Sequence, residues 1–179
     1  MEEKTNVWKN NLTNGVIMGA VAVIYSLSMY FFDLFLNQTQ GYVFIVIQIA
    51  LLAYLLKSYR DNYCFGNITY GQSVGAGVII CLYSAIIMAI FMYLLYSVIG
   101  HELIDKQLAI TEEAIMKRGL PQAQIDAGMA IQRKLMKPGI IALIGIFNNM
   151  FMGTIFSLVV SVFIKKEGNP LIDASTDQI

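Results

Sequence analysis

Charge is what this sequence has least of. Only 13% of its 179 residues are Asp, Glu, Lys or Arg, against about 25% in a soluble domain. The shortage is uneven. Between Lys9 and Lys57 the one formal charge is Asp33, and between Asp61 and His101 there is none. Each interval exceeds the roughly 20 apolar residues that cross a bilayer. Lys and Arg number 12, and so do Asp and Glu, which excludes the basic excess of a nucleic-acid-binding surface. Histidine occurs once and cysteine twice, as Cys64 in a loop and Cys81 inside an apolar run. That set is poor for a metal and gives no reason to expect a disulfide. No cofactor, metal or catalytic residue is therefore assigned. No Walker loop, dinucleotide fingerprint or nucleophile elbow is expected.

What is abundant is apolar surface, 57% of the residues. The reading is an all-α integral membrane protein. It has four transmembrane helices at about 12–36, 41–57, 72–99 and 139–164, with an extramembrane amphipathic helical hairpin at 101–137 between the third and fourth. These form one domain over 1–166, followed by a polar tail, 167–179, expected to be disordered. The first apolar stretch is too long for a cleaved signal peptide, and no small-residue cleavage site follows it, so it is expected to stay. The segment at 41–57 is short for a span, and Lys57 and Tyr59 would extend it by reaching for the interface. A re-entrant hairpin is its alternative.

In the polar interruption, Ile104, Leu108 and Ile115 recur at helical spacing. Gly119 followed by Pro121 reads as a stop and a new start, and Ile125, Met129 and Met136 share a second apolar face. The bland expectation is a solvated hairpin resting its apolar stripe on the membrane surface or the end of the bundle; a partner-docking surface is the alternative. Four spans place both termini on one side. Lys57 with Arg60, and Lys165 with Lys166, adjoin span ends, whereas the basic residues of 101–137 are mixed with five acids. The positive-inside tendency then favours cytoplasmic termini and a periplasmic hairpin.

Small residues recur at four-residue steps: Gly15 and Gly19; Gly71 and Gly75; Gly77, Cys81, Ala85 and Ala89; Gly145, Asn149, Gly153, Ser157 and Ser161. Such rows let helices approach in lipid, where close packing and polar contacts drive association. The pattern GxxxGA at Gly15 and again at Gly71 also hints at an internal repeat, as transporters have. His101-Glu102-Leu103-Ile104-Asp105 resembles the zinc-protease signature HExxH with aspartate for its second histidine. No other histidine exists to complete the set, and an ordinary helix start is the expectation. Asp33 is weighed as a solvated interfacial residue against an ion or proton site. An intramembrane aspartyl protease would need a second such residue. Gln48, Asn148 and Asn149 are expected to bond between helices.

The run Phe65-Gly66-Asn67-Ile68-Thr69-Tyr70-Gly71-Gln72, with Gly75 and Gly77 after it, carries a resemblance. So does the ending from Gly153 through Ser157 and Ser161 to Lys165-Lys166. With the order of the spans and the hairpin, the chain from Lys4 to Lys166 resembles the bacterial family catalogued as domain of unknown function 4199. The resemblance implies a small integral membrane protein and carries no catalytic residues. Two functions follow as expectations. One is a non-enzymatic self-associating or accessory membrane subunit, meeting a second copy or a membrane-protein partner through its small-residue faces and 101–137. The alternative is a small transporter or channel for an ion or small solute.

Overall fold

The computed structural model describes residues 6–119 and 121–166. The tail at 167–179, expected to be disordered, lies outside the described residues. Among those described the chain is all-helical: α1 (Val7–Phe31), α2 (Gln38–Tyr63), α3 (Tyr70–Leu94), α4 (Glu102–Met116), α5 (Gln122–Leu135) and α6 (Pro138–Ile164). A π-helical turn, Leu95–Ile99, continues α3. No strand forms among the described residues; Ile68 and Lys166 make an isolated antiparallel bridge. Four helical stretches are long and apolar enough to cross a membrane, Val7–Phe31, Thr39–Tyr63, Tyr70–Ile99 and Pro138–Ile164. Length and composition thus mark a multi-pass membrane protein.

The helix ends depart from the expected segment limits for local reasons. Asn6 caps α1 by accepting from the Lys9 amide at 3.4 Å, so the helix starts before residue 12. It also stops before residue 36. Asp33 takes φ +56°, while the Asp33 amide bonds Tyr30 O at 3.1 Å and the Leu34 amide bonds Met29 O at 2.9 Å. That pair of bonds is a Schellman stop with aspartate where glycine is usual. Asn37 then caps α2, accepting from the Thr39 amide at 2.9 Å. The segment expected at 41–57 is a continuous helix of 26 residues, roughly 39 Å at 1.5 Å per residue. Its length removes the re-entrant alternative.

The chain resolves into two compact units, Met1–Ala85 with Asn149–Ile179, and Ile86–Asn148. The first holds α1, α2, the start of α3 and the end of α6. Its core includes Met18, Leu52, Leu56, Ile80, Phe156 and Val160. Three glycines set the closest helix approaches. A Cβ on Gly15 would collide with the Cβ of Tyr83; one on Gly77 would lie 2.5 Å from Ser157 Oγ, and one on Gly153 2.6 Å from the Cβ of Cys81. At Gly71, Gly75 and Gly145 an added Cβ would meet nothing within 4 Å, so those members of the predicted rows do not set a close helix approach.

In the second unit α4 and α5 contact each other. Leu103, Ile125 and Met129 are buried, and Ile104, Leu108, Ile115 and Met136 are half-buried. Gly119 adopts φ +69° in the turn between the two helices. Glu113 accepts a 2.7 Å bond from Lys117 one turn on, which holds its exposed carboxyl below the usual range. Ile131 and Leu135, one turn apart on α5, remain exposed.

Candidate functional site

Two candidate features lie in the first unit, a polar seam and a basic end. The seam begins where α3 meets α6. Ser161 Oγ donates to Ser73 Oγ at 2.8 Å, both side chains being fully buried. One turn away Ser157 donates back to Gly153 O at 2.7 Å, its hydroxyl lying against the bare backbone of Gly77. Serine suits these places because it is small and can return its hydroxyl to its own helix. Farther along, Gln48 of α2, Cys81 and Ser84 of α3, and Asn149 and Gly153 of α6 line a cavity of about 10 Å³ with Met18 and Phe156. That is at the threshold for a single water, which needs roughly 10–15 Å³.

A second buried polar group sits near the start of α1. Asn11 is completely buried; its amide donates to Val7 O at 3.0 Å and its oxygen accepts from Asn14 at 3.2 Å. The Tyr59 hydroxyl of α2 meets both Asn11 and Cys64. Burial pushes the Cys64 thiol up, and the bond from Tyr59 partly opposes the rise. Sequence reading missed Asn11 and Asn14. They precede or open the apolar run and carry no signal that distinguishes them from solvated residues.

At the same end, Arg60 joins α2 to α6. Its Nη1 donates to Ile164 O at 3.1 Å and its Nε to Asp61 at 2.8 Å. The guanidinium therefore satisfies a carbonyl in the last turn of α6, where a positive charge is favoured. Ile68 and Lys166 exchange both main-chain bonds, at 2.8 and 3.0 Å. The Arg60 carbonyl accepts from the amides of Cys64 and Gly66, at 3.2 and 3.1 Å. Within this turn Phe65 adopts φ +50°, a conformation costing a bulky residue about 1–3 kcal/mol. The residue is 97% exposed. At the opposite end, the Tyr25 hydroxyl donates to Gln40, 3.0 Å from its main-chain oxygen and 3.1 Å from Oε1. Tyr25 also stacks on Phe44 at 5.2 Å, at the mouth of an open groove of about 130 Å³.

The residues singled out in the sequence separate. Gln48 and Asn149 meet at the small cavity, whereas Asn148 is exposed. Asp33 lies in the exposed turn after α1, away from the cavity lining. His101 precedes α4 and is exposed, its Nδ1 3.9 Å from Glu102 Oε2. Asp105 is exposed one turn on. Among the described residues no three His, Cys, Asp or Glu side chains are grouped closely enough to hold a metal. Sequence reading also overlooks one pattern. Gly71-Gln72-Ser73-Val74-Gly75 has the Gly-x-Ser-x-Gly spacing of a hydrolase elbow. That elbow needs a strand-to-helix turn presenting its serine; here Ser73 is buried within the first turns of α3 and bonded to Ser161.

Comparison with known proteins agrees with the resemblance. No curated protein and no solved structure matches the chain. A family model described as "Protein of unknown function (DUF4199)" matches residues 13–166, a stretch that takes in all four membrane-length helices except the first turns of α1. The chain belongs to the DUF4199 family of proteins of unknown function.

Proposed function

We propose that this chain is a non-enzymatic membrane protein that acts by association, as a homo-oligomer or as an accessory subunit. The observation that carries this reading is the closure of the seam. The serines of α3 and α6 are used in helix contacts, and the polar residues beyond them leave a cavity of only about 10 Å³. Polar groups so placed specify how helices pack. In this reading α4 and α5 form an extramembrane amphipathic hairpin. The exposed Ile131 and Leu135 give it an apolar stripe for a membrane surface or a protein partner.

The membrane is taken to be a bacterial inner membrane, with cytoplasmic termini and the hairpin in the periplasm. Lys57, Arg60, Lys165 and Lys166, beside the ends of α2 and α6, support that orientation. Cysteine placed at Gln124 should then react with a membrane-impermeant reagent from the periplasm. Reaction only after permeabilisation would reverse the topology.

Crosslinking in native membranes followed by pull-down tests association directly. A stoichiometric partner or a crosslinked homo-oligomer is expected, and recovery of the chain as an uncrosslinked monomer would overturn it. The second reading, transport, is favoured by the meeting of Gln48 and Asn149 at one cavity. Ion flux in proteoliposomes that is abolished by Asn149→Leu, with the fold retained, would put it first. No flux under any gradient would remove it.

A further inference from the structure

The turn between α2 and α3 is fixed from several directions, and the result is to turn one apolar side chain away from the protein. The Arg60 carbonyl holds the amides of Cys64 and Gly66, the Arg60 guanidinium reaches Ile164 O, and Ile68 is paired with Lys166. Phe65 projects from this frame at φ +50° and 97% exposure. A turn that only needed a positive φ would take glycine or asparagine there, and the next residue is Gly66. Phenylalanine in that place gains nothing from the protein interior, so its apolar surface calls for a medium outside the chain.

The surroundings identify the medium. Lys57, Lys165 and Lys166 are exposed at this end. Lys57 and Lys166 act, with Arg60, on the Asp61 carboxylate, which places these charges in one electrostatic neighbourhood. Trp8 and Tyr63, each about half exposed, stand at this end, on the start of α1 and the end of α2. An aromatic group and clustered lysines at the end of membrane-length helices match the boundary between acyl chains and anionic headgroups.

We propose that this end is an anionic phospholipid site, with Phe65 seated at the headgroup–acyl boundary and Lys57, Lys165 and Lys166 holding the lipid phosphate. Free phosphate shares the ammonium chemistry but lacks the acyl chains that Phe65 would meet. The proposal rests on the turn and its lysines and goes beyond association, so a monomeric protein would leave it standing.

The test uses the full chain in nanodiscs of phosphatidylcholine with and without phosphatidylglycerol. Trp8 is the one tryptophan, so the double variant Trp8→Phe, Phe65→Trp carries a single reporter at position 65. Its emission should be blue-shifted and quenched by lipids brominated near the headgroup. Quenching by aqueous iodide without quenching by brominated lipid would overturn the proposal and point to a water-facing docking surface. Native mass spectrometry supplies the second measurement. Wild-type protein should retain phosphatidylglycerol over phosphatidylcholine, with the preference falling roughly fivefold for each lysine replaced by glutamine. An unchanged preference in the triple variant would overturn the lysine assignment, and loss of phosphatidylglycerol to millimolar inorganic phosphate would overturn the lipid assignment. Phe65→Gly relieves the strained backbone and should hold or raise the melting temperature while weakening retention of both lipids; unchanged retention would remove Phe65 from the site.

Discussion

Gly153 stands against Cys81 with no room for a methyl group: a Cβ added to the glycine would lie 2.6 Å from the Cys81 Cβ and 2.7 Å from its Sγ. The obstacle is the root of a side chain on a neighbouring helix, so no rotamer change relieves it. Gly153→Ala should therefore force α3 and α6 apart and destabilise the protein by about 1–3 kcal/mol. Gly145→Ala, in the same predicted row but facing open space, should be neutral or mildly stabilising. Thermal unfolding of both variants in one detergent checks the contrast. Equal effects would mean that spacing, rather than contact, sets the cost.

Ser161 and Ser73 form the buried bond that crosses the same pair of helices. Hydrogen bonds between membrane helices average about 0.6 kcal/mol by double-mutant cycles, with a maximum near 1.7. Ser161→Ala and Ser73→Ala should each cost about that much, and the double variant should cost less than their sum. Unfolding in sodium dodecyl sulfate titrations measures the coupling. Strict additivity would show that each hydroxyl is satisfied by its own helix instead.

Arg60 has a different task, tying the exit of α2 to the last turn of α6 through Ile164 O. Its guanidinium is largely shielded while its partner Asp61 is half exposed, so the ion pair itself is worth little. The bond to the helix terminus carries the weight. Arg60→Gln should cost about 1–2 kcal/mol, and Asp61→Asn much less. Melting temperatures at low and high salt separate the two, because only the Asp61 contribution should fade with salt.

These contacts explain what the sequence revealed and what it hid. The four membrane-length helices were legible because apolar runs near 25 residues have one common meaning. The far end of α2 was not, since Lys57, Arg60 and Asp61 read as an exit into water, whereas Tyr59 turns inward and Arg60 is engaged with α6. Hydropathy scores a residue without knowing what stands beside it. The same blindness hid Asn11, which is polar, near a terminus and completely buried. Glycine spacing identified faces that could pack without saying which do: Gly15 and Gly71 open the same GxxxGA pattern, yet only Gly15 meets another helix. Phe65 was quoted for its motif alone, because nothing in a string of letters announces a positive φ. Of the apolar positions picked out by period in 101–137, Ile125 and Met129 are buried, whereas Ile104, Leu108, Ile115 and Met136 are half-buried.

Asp33 drew notice as the one acid inside an apolar interval, and its backbone gives it another role. At φ +56° it closes α1, a position where aspartate is tolerated and glycine preferred. Asp33→Gly should hold or raise stability, by up to about 1 kcal/mol, whereas Asp33→Val should lower it by more than that. Should Asp33→Gly instead abolish an ion flux at unchanged stability, the carboxylate would be a transport site after all.

Cys64 supplies a pH-dependent check on the buried polar group at the start of α1. Desolvation raises its thiol above the ordinary value, and the bond from Tyr59 offsets part of that rise. A raised thiol pKa means that folding disfavours the thiolate. Any stability linked to it is full below the free-thiol value of about 8.5 and is lost as pH rises from there through the folded value. Alkylation should follow the same curve. In a Cys81→Ala background, where Cys64 is the remaining cysteine, the iodoacetamide rate should climb at a higher pH than for a free thiol. Adding Tyr59→Phe removes the bond that favours the thiolate and should push the climb higher still. A rate that climbs at or below the free-thiol pH would mean that neighbouring positive charge outweighs burial. The Tyr59–Cys64 contact would then be an electropositive thiolate site instead of a packed polar contact.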